Sequence, residues 1–426
     1  MIKKIFYGFL ILIFSSCSSA PAAKINSSSD SIIIPDDFFG MVHAGKRDDD
    51  NEYKLLDEME IKWLLQTFYW SDIENERGIY DFSGYDKFVD TAKQRGKKVF
   101  ATLAYSPKWM ENEIGKSRYI PKEYIPDFLN FIEALVLHYK GKIDAFQIWN
   151  EPNFIFWHGK DKEFFNLSNL AAQRIRKTDP NAYIIGGGIF RVPKGFIKGM
   201  NNAGALENLD AFSYHPYALT PQGSIRLQDK LKKIITQIDF KGDILISEIG
   251  FPSGGWYPNK VSMKNYPSYV VKTITGSAVR GAKALFWYQL YDHYNFNEAP
   301  DKSNSENYFG LVYPDYSRKN ASWAYELCAR YLPGSSYNHD LQLNENIPSS
   351  IKIFYFTNDK NNTLILWNNL GKRKLKISFS SDFTIHNIAT GDSADYSNEI
   401  TVNITNEPLF ITWQGSSIPR LSKLKQ

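Results

Sequence analysis

Eight short apolar runs recur from the N-terminal part of the chain to about residue 290, and they constrain the fold more than any other feature. The runs are nearly continuous in apolar residues rather than alternating, which is typical of strands buried on both faces. Amphipathic, helix-like segments such as Tyr85–Arg95 and Glu123–Tyr139 lie between them. The eight runs are Phe38–His43, Lys62–Tyr69, Lys98–Ala104, Ala145–Asn150, Tyr183–Gly187, Ala211–His215, Ile244–Glu248 and Ala284–Leu290.

Eight successive strand-then-helix units predict an α/β fold, a (β/α)8 TIM barrel. A doubly wound parallel sheet is the alternative arrangement. The Gly-x-Gly-x-x-Gly pattern of dinucleotide-binding sheets does not follow the first run. Gly186-Gly187-Gly188 lies in the middle of the chain without the rest of that pattern, so the sequence favours the barrel.

The pattern changes after Leu332, where shorter strand-like runs are separated by turn residues such as Gly391-Asp392. Because no helix-like segment intervenes, the sequence predicts a small all-β sandwich domain after the barrel. Such a domain either binds carbohydrate or packs against the barrel, and we favour packing. The predicted strands are Ile351–Phe356, Thr363–Trp367, Lys374–Phe379, Phe383–Ile388, Ile400–Ile404 and Leu409–Trp413.

The N-terminus has the features of an export signal. A short basic stretch precedes the apolar run Ile5–Phe14, which is too short to span a bilayer as a helix. Ser15-Ser16-Cys17 then resembles a bacterial lipoprotein box, which predicts cleavage before Cys17 and its lipidation. An ordinary signal peptide, cut a few residues later, is the alternative.

These features predict an exported bacterial lipoprotein that is attached to the membrane through a lipid anchor, at the outer membrane or cell surface. Ser rather than Asp after Cys17 favours the outer membrane in a Gram-negative cell. The expected organisation is a signal peptide over 1–17, a tether over 18–30, the barrel over 31–334, the β-sandwich over 335–414 and a flexible tail over 415–426.

Composition excludes several classes of function. The chain has 50 Lys and Arg against 46 Asp and Glu, a net charge of +4, and its basic residues are dispersed, so we expect no nucleic-acid partner. Two cysteines exclude a disulfide scaffold and a Cys-based zinc site. Aromatic residues make up 15% of the chain, which fits a large core and also a carbohydrate-binding protein, since flat rings stack on sugar C–H faces. We expect a monomer.

Two of the predicted barrel strands end in a carboxylate. Glu151 follows the fourth strand and Glu248 ends the seventh. Functional residues of such barrels gather at the C-terminal ends of the strands, and strands three units apart face each other across the mouth. Two opposed carboxyls suit glycoside hydrolysis, in which one is a protonated acid and the other is ionised. A single strand-end Glu is more often a structural ion-pair partner, but two together favour catalysis.

The context of both carboxylates resembles clan A glycoside hydrolases. Trp149–Asn153 is similar to the strand 4 motif of that clan, Ser247–Gly250 to its strand 7 motif, and Phe212–Tyr217 to its strand 6 end. Other segments resemble glycoside hydrolase family 39 and its family 5 relatives, and a trailing β-sandwich is also common in family 39. Those segments are Trp70–Glu74, Gly78–Phe82, Ala104–Trp109, Phe286–Tyr288 and Asn307–Val312.

The resemblance implies a role for each matched residue. Glu151 would be the acid/base, Glu248 the nucleophile, and Asn150 the residue that binds the sugar 2-hydroxyl. Tyr217 would donate a hydrogen bond to Glu248 and keep it ionised, and His215 would line the same wall. The implied reaction requires neither a metal nor an organic cofactor.

Several tryptophans fall near predicted strand ends, where a flat ring could carry a sugar. We predict substrate-binding roles for Trp70, Trp109 and Trp287, and strand 8 of the clan commonly has its sugar-floor Trp where Trp287 lies. Trp157 and Trp256 occupy similar positions, but a single Trp near a strand end is more often part of the packing.

The predicted function is that of a retaining glycoside hydrolase, which cleaves a polysaccharide or oligosaccharide by double displacement, preferentially at internal bonds. The two carboxyls should then be about 5–5.5 Å apart. Many clan members have an Arg on strand 2 near Leu65, whereas residues 63–67 contain none. Two alternatives are a glycan-binding protein without turnover and a transglycosylase that remodels an exopolysaccharide.

Overall fold

The computed structural model describes residues 31–42, 49–256, 260–295, 300–338, 347–416 and 418–423. The predicted signal peptide, the tether and Cys17 lie outside the described residues. Within these ranges, each helix is either too short or too polar to cross a bilayer.

The strands begin with a two-residue segment that precedes the barrel. In chain order they are β1 (Ile32–Ile33), β2 (Phe39–Val42), β3 (Trp63–Tyr69), β4 (Lys98–Ala104), β5 (Ala145–Ile148), β6 (Ile184–Phe190), β7 (Ala211–His215), β8 (Asp243–Ile249), β9 (Leu285–Trp287), β10 (Ser336–Asn338), β11 (Ile351–Thr357), β12 (Asn362–Asn368), β13 (Arg373–Ser378), β14 (Phe383–His386), β15 (Ser393–Tyr396), β16 (Glu399–Ile404), β17 (Leu409–Trp413) and β18 (Arg420–Lys423).

Most helices follow a barrel strand directly, and two short 3₁₀ segments, Lys122–Tyr124 and Ser305–Tyr308, lie in loops. The α-helices are α1 (Asp50–Glu58), α2 (Trp70–Ile73), α3 (Ser83–Gln94), α4 (Lys108–Ile114), α5 (Ile125–His138), α6 (Asp161–Thr178), α7 (Lys194–Asn202), α8 (Pro221–Ile238), α9 (Tyr266–Ala278) and α10 (Asn320–Tyr331).

Strands β2 to β9 form a closed parallel barrel, as the eight apolar runs predict. The barrel closes where β2 pairs with β9, with Gly40 opposite Phe286. A β-carbon at Gly40 would lie 2.4 Å from the Phe286 ring, so the large residue on one strand requires the small residue on the other. The side chains that fill the barrel interior are those of Val42, Leu65, Phe100, Ala145, Ile185, Ala211, Leu245, Ala284 and Phe286.

The C-terminal region contains two antiparallel sheets. One has seven strands in the order β1-β10-β11-β12-β17-β14-β15, and the other has three in the order β16-β13-β18. Leu364 and Ile411 of the first sheet share an apolar core with Leu375 and Leu421 of the second. The two sheets therefore form the predicted all-β sandwich.

Strand β12 is buried along its whole length because it lies in the middle layer of the molecule. Leu364 and Leu366 face the three-stranded sheet. Ile365 and Trp367, on the other face, belong to the core that the sheet shares with the barrel and its helices. This arrangement explains why residues 364–367 are continuously apolar, whereas a sandwich strand with one face in water would alternate.

The boundaries of the domains differ from the sequence prediction at both ends. Ile32 and Ile33, predicted as part of the barrel segment, pair with Tyr337 and Ser336 in the seven-stranded sheet. Arg420–Lys423, predicted as flexible tail, instead forms β18 and pairs with β13. Both strands are too short or too polar for periodicity to identify, and their pairing depends on an edge supplied by distant residues. The polar strands β10 and β15 were missed for the same reason.

Candidate active site

The turn after β5 holds Glu151 in an unusual backbone conformation. Trp149 and Glu151 have φ values of 69° and 44°, in the left-handed region that residues other than glycine rarely adopt. Glu151 is 7% exposed, and its backbone N–H donates to the Gly188 carbonyl over 2.7 Å. Strained backbone of this kind persists only where the surrounding contacts fix it, and it clusters at functional sites.

Buried polar contacts fix this turn from below. The Gln147 amide donates to the Trp149 carbonyl over 3.2 Å and receives a hydrogen bond from the Ser213 hydroxyl over 2.6 Å. The Trp149 ring is fully buried, and its Nε1 donates to the Phe156 carbonyl over 2.8 Å. A β-carbon at Gly188 would lie 2.8 Å from the Gln147 amide nitrogen, so the adjoining strand needs a glycine there.

Glu248 lies within β8 and faces Glu151 across the barrel mouth. The Tyr217 hydroxyl donates to Glu248 Oε1 over 2.7 Å. His215 Nδ1 lies 2.7 Å from Glu151 Oε1 and 3.9 Å from Glu248 Oε2, so the imidazole bridges the two carboxyls. One ligand atom from each of these three side chains lies within 4.8 Å of the other two.

Burial raises the proton affinity of both carboxyls, and their partners make the two values differ. It raises the pKa of Glu151 to about 8. It also raises the pKa of Glu248, to about 7, although the nearby His215 and the hydrogen bond from Tyr217 oppose this rise. Burial lowers the pKa of His215, so the imidazole is neutral at neutral pH. Glu151 consequently keeps its proton to a higher pH, and Glu248 ionises first.

The structure brings five of the predicted site residues together. Glu151, Glu248, His215 and Tyr217 form the linked group, and Asn150 lies beside it with its amide donating to the Tyr105 hydroxyl over 3.3 Å. Their strand-end positions predicted that Glu151 and Glu248 would meet, and the family resemblance implied the other three residues. The functional roles of the five residues stay predictions.

The predicted substrate contacts of Trp70 and Trp287 were wrong. Trp70 is fully buried and stacks on Phe131 of α5, with ring centroids 5.6 Å apart. Trp287 is also fully buried and packs against Tyr325 of α10. Side chains alternate along a strand, so the inward position of Phe286 places Trp287 on the outer face of the barrel.

Trp109 also has a packing role rather than a place beside the carboxyls. Its Nε1 donates to the Glu74 carbonyl over 3.1 Å, and its ring contacts Trp70 and the Arg77 guanidinium. Trp157 is 5% exposed and packs against Trp149. Trp256, in contrast, is 71% exposed on the loop after β8.

The sequence analysis missed four residues at the site. Tyr69 lies close enough to Glu248 for the carboxylate to raise its pKa, although burial has the larger effect. Tyr288 donates to Glu306 over 2.8 Å, and the Glu306 charge raises the pKa of Glu248. Tyr69 ends β3 and Tyr105 directly follows β4. Tyr288 lies two residues after the inward-facing Phe286, so the two-residue period of a strand predicts that it also faces inward. These three positions could have been predicted from the sequence. Glu306 lies in a loop and could not have been.

Strand β3, where the family resemblance implied an Arg near Leu65, offers no cation to Glu248. Trp63 and Leu65 face the barrel interior, and the two-residue period places Thr67 and Tyr69 on the same face. Among the described residues, no Lys or Arg lies within 4 Å of the Glu248 carboxylate. The Tyr217 hydroxyl is its hydrogen-bond donor instead.

The same three side chains are the residues that could hold a metal ion. Glu151, His215 and Glu248 present two carboxylate oxygens and an imidazole nitrogen at suitable separations. Each is also engaged by the protein, since Tyr217 donates to Glu248 and Ser247 Oγ lies 3.1 Å from His215 Nε2. The hydrogen bonds account for the arrangement without an ion.

Comparison with known proteins gives a consistent result. Residues 52–237 match the family model for glycosyl hydrolases family 39, a segment that contains Glu151, His215 and Tyr217 but ends before Glu248. A beta-xylosidase from Caldicellulosiruptor saccharolyticus is 29% identical over 147 residues. That alignment covers 30% of this chain and 30% of the relative's own length.

Solved structures share the fold over a larger part of the chain. A family 39 glycoside hydrolase from Bacteroides cellulosilyticus WH2 superposes with a TM-score of 0.74 at 19% identity, covering 89% of this chain and 81% of that one. A monomeric beta-xylosidase from Caulobacter crescentus CB15 gives a TM-score of 0.66 at 14% identity, covering 92% and 97%.

The closed barrel, the paired strand-end glutamates and the sandwich resemble those of clan A glycoside hydrolases, a class of O-glycosyl hydrolases. Within that clan, the chain is similar to glycoside hydrolase family 39. The strand 4 and strand 7 motifs predicted a resemblance to the same family, and these comparisons support it.

Proposed function

We propose that this protein hydrolyses O-glycosidic bonds of a polysaccharide or oligosaccharide with retention, by double displacement on Glu151 and Glu248. The observation that carries the proposal is the spacing of this pair, whose facing oxygens lie within 4.8 Å. Retaining enzymes have carboxyls about 5–5.5 Å apart, whereas inverting enzymes need roughly 6.5–9.5 Å to admit a water molecule.

In the first step Glu151 acts as the acid. Ser247 can donate to His215 Nε2, which leaves Nδ1–H to donate to Glu151 Oε1 and the second oxygen of Glu151 to carry the acidic proton. That proton passes to the glycosidic oxygen while the Glu248 carboxylate attacks the anomeric carbon. The glycosidic bond breaks, an ester forms on Glu248, and the leaving sugar departs as an alcohol.

In the second step the roles of the pair reverse. Glu151, now ionised, takes a proton from a water molecule, and the oxygen of that water attacks the anomeric carbon. The ester bond breaks, Glu248 leaves as a carboxylate, and Glu151 is again protonated. A Glu151 pKa raised by burial suits both steps, because the residue must hold a proton and also give it up.

We propose β-linked xylose polymers and oligomers as the first substrates to test. The Caldicellulosiruptor relative and the Caulobacter structure are both named beta-xylosidases. Several tyrosines, among them Tyr69, Tyr105 and Tyr288, lie around the carboxyls, and such a wall suits an uncharged sugar ring.

The test is product release from xylo-oligosaccharides, xylan and a panel of other plant and bacterial polysaccharides by the full-length protein. We expect Glu248→Gln to lose about 10³-fold or more in kcat/KM, because an amide cannot form the ester. The control is Glu407→Gln, which changes an exposed Glu in the sandwich and should leave activity unchanged. Proton NMR of the first product should show the β-anomer, and a 2-fluoro-xylosyl fluoride should label Glu248.

An inverted first product would contradict the double-displacement mechanism. Binding of a glycan without cleavage by the parent protein would instead favour the second candidate, a glycan-binding protein without turnover. The specific observation behind that candidate is the Glu248 carboxyl, which has no Lys or Arg beside it among the described residues and a pKa raised to about 7 by burial.

We also propose that the protein is a bacterial lipoprotein anchored through Cys17 at the outer membrane or cell surface, and that it acts as a monomer. The proposal is supported by the basic stretch, the apolar run Ile5–Phe14 and Ser15-Ser16-Cys17. Growth with a radiolabelled fatty acid should label the parent protein and not Cys17→Ser. Equal labelling of both would contradict the proposal.

A further inference from the structure

Two stacked phenylalanines lie at the mouth of the barrel, in the region that follows the predicted acid. Phe154 is 36% exposed, and its ring stacks on that of half-buried Phe190, with centroids 4.7 Å apart and planes 23° from parallel. The Phe190 ring lies 6.3 Å from that of Tyr217, which binds Glu248. The three rings form a row that leads from the catalytic pair to the surface.

The backbone that carries these rings is held at a fixed position relative to Glu151. The Asn153 side-chain amide donates to the Phe190 carbonyl and accepts from the Phe190 N–H, each over 2.9 Å. The Phe154 N–H donates to the Glu151 carbonyl over 3.0 Å. The turn after β5 and the end of β6 are therefore joined by directed hydrogen bonds, and the ring pair does not depend on its own contact for its position.

The chemistry of the proposed reaction places a sugar at this row. Glu151 gives its proton to the glycosidic oxygen, so the leaving sugar begins at the Glu151 carboxyl, whereas the sugar that stays bound is attached to Glu248. The residues that directly follow Glu151 are then the ones that the leaving sugar meets. The exposed part of the Phe154 ring, backed by the half-buried Phe190, offers a flat apolar surface, and a pyranose presents a C–H face that fits a flat ring.

We infer that Phe154 and Phe190 form the binding site for the sugar on the leaving-group side of the scissile bond. The inference rests on the proposed function and deepens it. A site of this kind selects glycans in which another sugar follows the cleaved bond, over glycosides whose leaving group is small. It also holds an incoming sugar acceptor in the second step, in competition with water.

The test compares two probes, xylotriose, which has a sugar leaving group, and methyl β-xyloside, whose leaving alcohol needs the same protonation by Glu151 but carries no sugar. We expect Phe154→Ala and Phe190→Ala each to lower the ratio of kcat/KM for xylotriose to that for the methyl xyloside by about tenfold, the change expected for one lost aromatic contact. The matched control is Tyr396→Ala in the sandwich. That ring is 39% exposed and stacks on Phe383, so its removal also deletes an exposed, stacked ring.

An unchanged ratio in both variants would overturn the inference, and so would an equal loss on both probes, since that result means that the rings only support the Glu151 loop. Either result leaves the proposed function intact. Turnover of neither probe by the parent protein would count against the proposed function on xylose glycosides. In that case, the affinity for xylotriose is measured by calorimetry. Weaker binding by Phe154→Ala than by Tyr396→Ala supports the inference, whereas equal binding by the two variants, or no binding at all, refutes it.

Discussion

At the scale of single residues, the two carboxyls differ because their partners differ. Glu151 is buried and contacts the neutral His215 imidazole, so burial dominates its proton affinity. Glu248 is less buried and accepts a hydrogen bond from Tyr217, which stabilises its ionised form. A hydroxyl and an imidazole, rather than an Arg, are thus the described groups that lie beside Glu248.

This difference predicts a bell-shaped pH dependence of kcat/KM. The rate should rise as Glu248 loses its proton near pH 7 and fall as Glu151 loses its proton near pH 8, with apparent values that belong to the coupled pair. In Tyr217→Phe the Glu248 carboxylate loses the hydroxyl that donates a hydrogen bond to it, so the pKa of Glu248 rises. We therefore expect the acid limb of the profile to move to higher pH by about one unit.

The control for this profile is Tyr183→Phe, which removes a 2.7 Å hydrogen bond to the Asp243 carboxylate at the start of β8, the opposite end of that strand from the site. Its pH profile should coincide with that of the parent. An acid limb that stays in place in Tyr217→Phe would show that Tyr217 does not stabilise the ionised carboxylate.

At the scale of elements, a buried ion pair joins the loops on one side of the barrel mouth. Lys319, immediately before α10, donates to Asp292 on the loop after β9, over 2.7 Å, with both side chains 1% exposed. Lys319 also donates to Ser253 after β8, and Asp292 accepts from the Gly310 N–H. The pair therefore ties the segment that contains Glu306 to both neighbouring strand ends.

Removal of one partner of this pair should strongly destabilise the protein. Lys319→Met leaves the Asp292 carboxylate buried without a cation, so we expect its free energy of unfolding in urea to fall by about 3–5 kcal/mol. The double variant Lys319→Met/Asp292→Asn should recover part of that loss. The control is Lys232→Met on the exposed face of α8, and a Lys319→Met stability within about 1 kcal/mol of it would contradict the prediction.

At the scale of the whole molecule, the sandwich and the barrel share one apolar core. Ile365 and Phe410 of the seven-stranded sheet belong to the same cluster as the barrel helices, and Tyr331 of α10 contacts Phe410 with centroids 6.0 Å apart. Lys272 of α9 donates to Asn406 over 2.7 Å. The β1–β10 pairing adds the residues before the barrel to the same sheet.

A barrel expressed alone, over residues 31–334, should therefore fail to fold into a stable monomer. Its helices α9 and α10 would expose the surface that the sheet covers, and β1 would lose its partner strand. Circular dichroism should show one cooperative thermal transition for the full chain and none for the shortened one. A soluble monomer with a sharp transition would contradict the shared-core interpretation.

The sequence by itself determined most of the strands and the class of site. The eight barrel strands follow from local patterns because burial on both faces leaves a nearly uninterrupted apolar run, and six sandwich strands follow from short strand-like runs between turn residues. The strand-end positions of Glu151 and Glu248 also sufficed to place them at one mouth. These features depend only on residues within a few positions of one another.

Tertiary structure alone decided which side chains face the site and which short strands find partners. Trp287 and Tyr288 are adjacent in sequence, yet Trp287 packs on α10 and Tyr288 reaches Glu306. The reason is that successive side chains along a strand point to opposite faces of the sheet. Glu306, in a loop, and Phe190, at the end of β6, are positioned by contacts such as those of Lys319 and Asn153. Such contacts join residues far apart in the chain, and no local pattern encodes them.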